Sequence, residues 1–140
     1  MSTGFAIAGD VEVELRELAR EASTRAYVPY SKFHVGAALR YPDGSVVTGC
    51  NVENAAYGVT VCAERTALVR SIAEGRDTHE ITHIAVHVDG PEGSPCGMCR
   101  QTLVELAPNA TITFLHEGRY VSGPVMSLLP AAFLPGALEL

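Results

Sequence analysis

The order of apolar patterns along these 140 residues predicts an α/β protein, layered α/β/α around a sheet of about five strands. Three observations carry that expectation. Apolar residues recur at helical spacing in three separate segments. Shorter apolar runs, bounded by Pro, Gly and Asp, alternate with them as strands. Pro42-Asp43-Gly44 falls between two such runs, where glycine readily supplies the positive φ of a tight turn.

Residues 11–26 place Val11, Leu15, Leu18, Ala19 and Ala22 at helical spacing, with Asp10 as the N-cap. Pro29 ends that helix, because its ring disfavours helical backbone in the residue before it. Residues 34–41 and 45–50 form the arms of a hairpin around the Pro-Asp-Gly turn. A polar, glycine-containing loop over 51–60 leads into a helix over 61–74, whose apolar stripe is Ala63, Ala67, Leu68 and Ile72. A buried strand over 81–88 and a turn-rich loop over 89–94 follow. The next helix spans 95–106: Ser94 can cap it and Pro95 suits its first turn. Short strands over 111–115 and 120–122 flank Gly118, and residues 126–140 read as a short helix and a Pro-punctuated tail. With no repeat, low-complexity tract or linker, a single domain over residues 1–140 is expected.

A composition of 47% hydrophobic and 19% charged residues is that of a globular chain and excludes a disordered one. Residues 1–8 lack a basic start and are too short and broken for a secretory signal. No apolar run approaches the roughly 20 residues needed to cross a bilayer. A cytoplasmic protein with no membrane partner is therefore expected. The net charge of −6 argues against a nucleic-acid partner, which calls for a basic patch. Arg16, Arg20, Arg25, Arg70 and Arg76 are scattered among acidic residues, as on a solvated helix face. A neutral small substrate suits this balance better than a polyanion. Four cysteines could form two disulfides, but a reducing compartment disfavours that, and Cys96-x-x-Cys99 reads better as metal binding.

The chemistry rests on Cys62-Ala63-Glu64-Arg65 and Pro95-Cys96-Gly97-Met98-Cys99. Three cysteines can hold one Zn²⁺ per chain and leave a position for water, the pattern of a catalytic rather than a closed structural site. Each stands where a helix is predicted to begin, and there free N–H groups and the helix dipole favour thiolate over thiol. Cys96 and Cys99 can face one point from a single turn, while Cys62 arrives from the other helix. Glu64, two positions beyond Cys62, does not share its helix face. It is therefore expected to direct its carboxylate at water and substrate as a proton shuttle. Three thiolates around Zn²⁺ leave about one net negative charge, which blunts the metal's ability to acidify water. Arg65 could offset this by bonding to ligand sulfurs, or could be a surface arginine. Cys50 either completes a closed four-sulfur site or, at the end of an apolar strand, is a small buried hydrophobe. His34, His79, His83, His87 and His116 have no ligand-like spacing and are read as structural or surface residues.

With these motifs the chain resembles the small, homotetrameric, zinc-dependent cytidine deaminases, over nearly its full length. Besides the zinc motifs, YVPYSKFHVGAA (residues 27–38) resembles the family's N-terminal substrate segment, and GCNVENAAY (residues 49–57) its ribose-binding loop. LLPAAFLP (residues 128–135) is similar to its C-terminal motif, departing from the common pattern at Leu134, where glycine is usual. A cysteine as first ligand separates the chain from nucleotide and tRNA deaminases and from the larger dimeric cytidine deaminases.

The resemblance implies a cytidine-deaminase-like three-layer α/β/α fold with a mixed sheet, acting on a nucleoside. It further implies hydrolysis of cytidine and 2′-deoxycytidine to uridine and 2′-deoxyuridine, with release of ammonia, in pyrimidine salvage. Glu64 would be the catalytic residue and Cys62, Cys96 and Cys99 the zinc ligands, with Arg65 behind them. By the same resemblance, Asn51 and Glu53 would bind the ribose 3′-hydroxyl. Phe33 would pack against the pyrimidine, and the Ala63 N–H would bind its 2-carbonyl oxygen. Ala55 and Tyr57 belong to a loop that reaches toward a neighbouring subunit's pocket, and Phe133 would be an aromatic wall donated by another subunit. Phe33 and Phe133 could instead be core aromatics. Two rival functions fit the same zinc motifs: deamination of a cytosine-containing antibiotic such as blasticidin S, and a structural zinc module that binds a partner protein.

Overall fold

The computed structural model describes residues 4–138. The outer ends of the two terminal segments read from sequence, residues 1–3 and 139–140, lie outside the described residues. Six strands and three α-helices follow in the order β1 (Ala6–Ile7), α1 (Val13–Ser23), β2 (Val35–Arg40), β3 (Val46–Cys50), α2 (Ala63–Ala73), β4 (His83–Val88), α3 (Gly97–Leu106), β5 (Thr111–His116) and β6 (Arg119–Pro124). Short 3₁₀ turns cover Tyr57–Val59, Thr78–Glu80, Val125–Leu128 and Pro135–Leu138. The strands form one mixed sheet in the order β1-β6-β5-β4-β2-β3, with β4 and β5 parallel and every other pair antiparallel. The strand beyond the expected five is β1. Its two residues pair with Ser122 and Val121 of β6 and are too few to carry a periodic pattern.

Alternation along the central strands divides the molecule into three layers. Ala38 of β2 and its register partner Ala85 of β4 pack with Leu15 and Ala19 of α1. Ala37, Leu39, Ile84 and Val86 point to the opposite face, where Ala63, Ala67 and Leu68 of α2 and Cys99, Leu103 and Val104 of α3 complete the larger core. Helices α1 and α2 lie close to the sheet because glycine faces them. A Cβ on Gly36 would stand 1.8 Å from the backbone oxygen of Ala19, and one on Gly49 would stand 2.5 Å from the backbone nitrogen of Ala67.

Several local expectations need correction. Asp10 does not cap α1. The cap is Glu12 in a left-handed conformation (φ 57°), its carboxylate drawn to Arg40 of β2. Val11 and Leu18 are exposed, so Leu15, Ala19 and Ala22 form the buried stripe. On α2, Ile72 is 49% exposed and the core face is Ala63, Ala67 and Leu68. Ser94 does not cap α3 and Pro95 is not in its first turn: the cap is Cys96, and the Ser94 hydroxyl bonds to Arg100. Among the described residues, no helix is long and apolar enough to cross a membrane.

The approach of α1 at Gly36 yields a test. Gly36→Ala would drive a methyl into backbone that cannot rotate away, and overpacking of this kind costs about 1–3 kcal/mol or more. A lower urea midpoint with an unchanged m-value is the expected result in denaturation followed by circular dichroism.

Candidate active site

Two helices begin at one point beside the end of β4. Cys62 caps α2 and Cys96 caps α3, both with extended backbone, and Cys99 lies in the first turn of α3. The sulfurs of Cys62, Cys96 and Cys99 all lie within 4.8 Å of one another, and Cys62 and Cys96 are 3.7 Å apart. A tetrahedral zinc with Zn–S bonds of about 2.3 Å needs sulfurs about 3.8 Å apart, so this donor set fits the metal. Neither Glu64 nor Cys50 belongs to the cluster. Arg65 Nη2 reaches Cys62 Sγ at 3.6 Å and donates to the Thr60 carbonyl at 3.1 Å. Cys62 favours the thiolate: hydrogen bonds from Cys99, then Arg65 and Cys96, lower its pKa to about 5. The same bond with Cys62, together with burial, pushes the Cys99 thiol up.

Glu64 is only 4% exposed, in the first turn of α2. Burial raises its pKa to about 7, and the neighbouring Cys62 charge adds to the rise. It lines a cavity of about 200 Å³ together with Cys62, Cys96, Ala63, Phe33 and Asn51. Val35 and Val88, register partners on β2 and β4, line the same space with Val86. Asn51 is locked by its own amide: Oδ1 accepts from the Val35 N–H at 2.9 Å and Nδ2 donates to the Phe33 carbonyl at 2.8 Å. One amide hydrogen and one oxygen lone pair remain to be used. Thr60 links this cavity to an adjoining hollow lined by Tyr30, Ser31, Glu53 and Tyr57. There Glu53 accepts the N–H groups of Tyr30 and Ser31, each at 3.1 Å. The Ser31 hydroxyl and these N–H groups hold its carboxyl below the usual range.

The family description of the cytidine and deoxycytidylate deaminase zinc-binding region matches residues 11–115, which contain the cysteine cluster and Glu64. The chain belongs to this family. It is 47% identical over 118 residues to a cytidine deaminase of Halalkalibacterium halodurans, covering 84% of this chain and 86% of that one. A crystal structure of cytidine deaminase from Burkholderia pseudomallei superimposes with a TM-score of 0.80 at 45% identity, over 88% of this chain and 99% of that one. A blasticidin-S deaminase of Bacillus cereus is more distant, 30% identical over 129 residues, covering 87% of this chain and 91% of that one.

Within this deaminase domain the residues singled out from sequence fall into three groups. Phe33, Asn51, Cys62, Ala63, Glu64 and Cys96 line the cavity, with Cys99 and Arg65 joined to it through Cys62. Glu53 and Tyr57 line the adjoining hollow. Ala55 and Phe133 line neither. Ala55 is exposed, Tyr57 is 73% exposed against the edge of Tyr30, and Phe133 is 62% exposed, so Phe133 is not a core aromatic. Sequence reasoning missed the loop before Cys96. Glu92, Gly93 and Ser94 also line the cavity, and Glu92 is tied to His116 Nδ1 at 3.0 Å and to the N–H of Glu117 at 3.2 Å. The position of this loop next to the ligand pair was the available signal.

The cluster makes the two cysteine classes separable. Cys99→Ser should lose the zinc, whereas Cys50→Ser should retain one zinc per chain, as measured by elemental analysis of the purified variants. Equal loss in both would point to a closed four-sulfur site.

Proposed function

We propose that this chain hydrolyses the 4-amino group of cytidine and 2′-deoxycytidine, giving uridine or 2′-deoxyuridine and ammonia. The observation that carries the reading is the placement of Glu64: a buried carboxyl, poised near neutrality, facing a cavity that also exposes convergent sulfurs. Cys62, Cys96 and Cys99 would hold Zn²⁺, which when bound supplies the Lewis acidity that makes water a nucleophile near neutral pH. Glu64 takes the proton of the attacking water and delivers it to N3, so that C4 accepts the new C–O bond. It then carries the proton of the new C4 hydroxyl to the amine, so that the C4–N bond breaks, ammonia leaves and the C4 carbonyl forms, one carboxyl serving as base and acid in turn. Arg65 offsets the excess negative charge of the thiolates through its contact with Cys62.

Substrate placement follows from the rest of the cavity. Phe33 packs against the pyrimidine and the Ala63 N–H, at the free start of α2, binds the 2-carbonyl oxygen. Asn51 and the ionised Glu53 bind the ribose 3′-hydroxyl, a choice that favours a free nucleoside over the antibiotic. Among the described residues, neither hollow is lined by lysine or arginine, which suits an uncharged ligand. The working form is a homotetramer in which Ala55, Tyr57 and Phe133 complete a neighbour's site; their exposure in the isolated chain supports this. Residues 1–140 act as a single domain, in the cytoplasm.

Ultraviolet absorbance during incubation with cytidine tests the reaction directly. Deamination should stop on chelation and return with added zinc, and inactivity with zinc present would overturn the reading. Glu64→Gln should keep one zinc per chain and lose activity by about 10²–10⁴-fold or more, since the amide cannot accept and release the proton. Near-normal turnover would remove Glu64 from the mechanism.

Phe133→Ala tests the shared site. Stacking on an aromatic ring is worth about 1–3 kcal/mol per base, so KM for cytidine should rise roughly tenfold or more. Mixing these chains with Glu64→Gln chains should restore some sites that carry both residues. An active monomer in light scattering, or no recovery despite proven subunit exchange, would overturn sharing.

A further inference from the structure

One guanidinium outside the cysteine cluster holds two parts of the chain together. Arg100 follows Cys99 on α3 and is half-buried. Its Nε donates to the Pro95 carbonyl at 2.8 Å, its Nη2 to the Ser94 hydroxyl at 2.6 Å, and its Nη1 to the Leu128 carbonyl at 3.1 Å. Its described hydrogen bonds go to carbonyls and a hydroxyl, whereas Arg20, Arg40, Arg70 and Arg76 each pair with an acid. Pro95 immediately precedes Cys96, Ser94 lines the cavity, and Leu128 closes the 3₁₀ turn from which the tail runs on to Phe133.

Cys96 is held through its backbone and through Cys62: its carbonyl accepts the Arg100 N–H at 2.9 Å and its sulfur lies 3.7 Å from Cys62 Sγ. It is exposed, its backbone is extended (ψ 169°), and it makes no side-chain cap bond to α3. The Pro95 carbonyl lies ahead of the helix, outside its hydrogen-bond ladder. We propose that Arg100 is a positioning residue for Cys96: its planar fork fixes residues 94–95, and so the direction in which Cys96 presents its sulfur, and anchors this turn to the C-terminal segment. Arginine suits the task because its donors are set in a rigid plane, whereas the single ammonium of lysine cannot hold acceptors in three directions with fixed geometry. Arg100 acts through the backbone, unlike Arg65, which touches the Cys62 sulfur.

The inference rests on the zinc reading above. Arg100→Ala and the charge-conserving Arg100→Lys are compared with the parent, each purified with zinc bound. Zinc affinity is measured by competition with a chromogenic chelator. The absorption spectrum of the Co²⁺-substituted proteins reports ligand geometry. Loss of a group that orients a metal ligand typically costs about 10–100-fold in metal affinity. Arg100→Lys should show a loss of that order and an altered cobalt spectrum, while its far-ultraviolet circular dichroism stays parental. Parental zinc affinity and cobalt spectrum in Arg100→Lys, even with a lower melting temperature, would overturn the proposal and leave Arg100 as packing. A parent that binds no zinc is a different result, and it would overturn the zinc reading itself.

Discussion

Three sulfurs within 4.8 Å of one another demand that two helices start at the same place, and much of the fold serves that demand. Cys62 and Cys96 cap α2 and α3, which pack on the same face of the sheet against Ala37, Leu39, Ile84 and Val86. Metal–ligand distances tolerate only about 0.2 Å of error, so small slippage of either helix would spoil the tetrahedron. Close-packed interiors resist such slippage. Alanines and glycine at the α2 contact allow the helix to seat against β3, and Leu68 and Leu103 fill the space behind it. Core packing and metal chemistry are therefore one problem in this chain.

The same packing sets the electrostatics of Glu64. Its place in the first turn of α2 puts the carboxyl near free N–H groups, which favour charge, yet it is almost fully buried, which opposes charge more strongly. Burial dominates, and the adjacent Cys62 thiolate adds to it. A carboxyl near neutrality can take a proton and return it with little cost either way, which a solvated glutamate cannot do. Glu53 is the contrast. Solvent-facing and bonded by two backbone N–H groups, it stays ionised and is suited to accepting a hydroxyl. Two glutamates acquire different chemistry from burial, hydrogen bonding and, for Glu64, a neighbouring thiolate.

The cysteine cluster was legible in sequence because its logic is local. The Cys96-x-x-Cys99 spacing fits one helical turn, and each motif sits at a predicted helix start. The α/β/α layering was legible because the strands and helices have distinct periods. Capping was read less well: Asp10 and Ser94 both have the right chemistry, but Glu12 and Cys96 take the cap positions, Glu12 reaching Arg40 of β2. Strand β1 was invisible because its two residues owe their structure to β6. The Glu92 wall depends on His116, 24 residues away, and no spacing rule connects them.

The cavity is most complete on the sheet side and least complete toward solvent. Val35, Val86 and Val88 floor it, and Asn51 is held rigidly by backbone on both its oxygen and its nitrogen. Facing outward, Tyr57 and Phe133 bury little of their rings, and Gln101 fixes the Phe133 segment through its carbonyl at 2.8 Å rather than through its ring. An aromatic ring held out at the end of an anchored segment loses packing energy in the isolated chain, because each buried aromatic contributes on the order of 2–3 kcal/mol. A second subunit that accepts those rings would recover that energy and close the open side of its own cavity with the same contact. Under the proposed shared site, assembly and substrate enclosure thus draw on one set of side chains, and the anchoring of residues 128–133 by α3 matters to both.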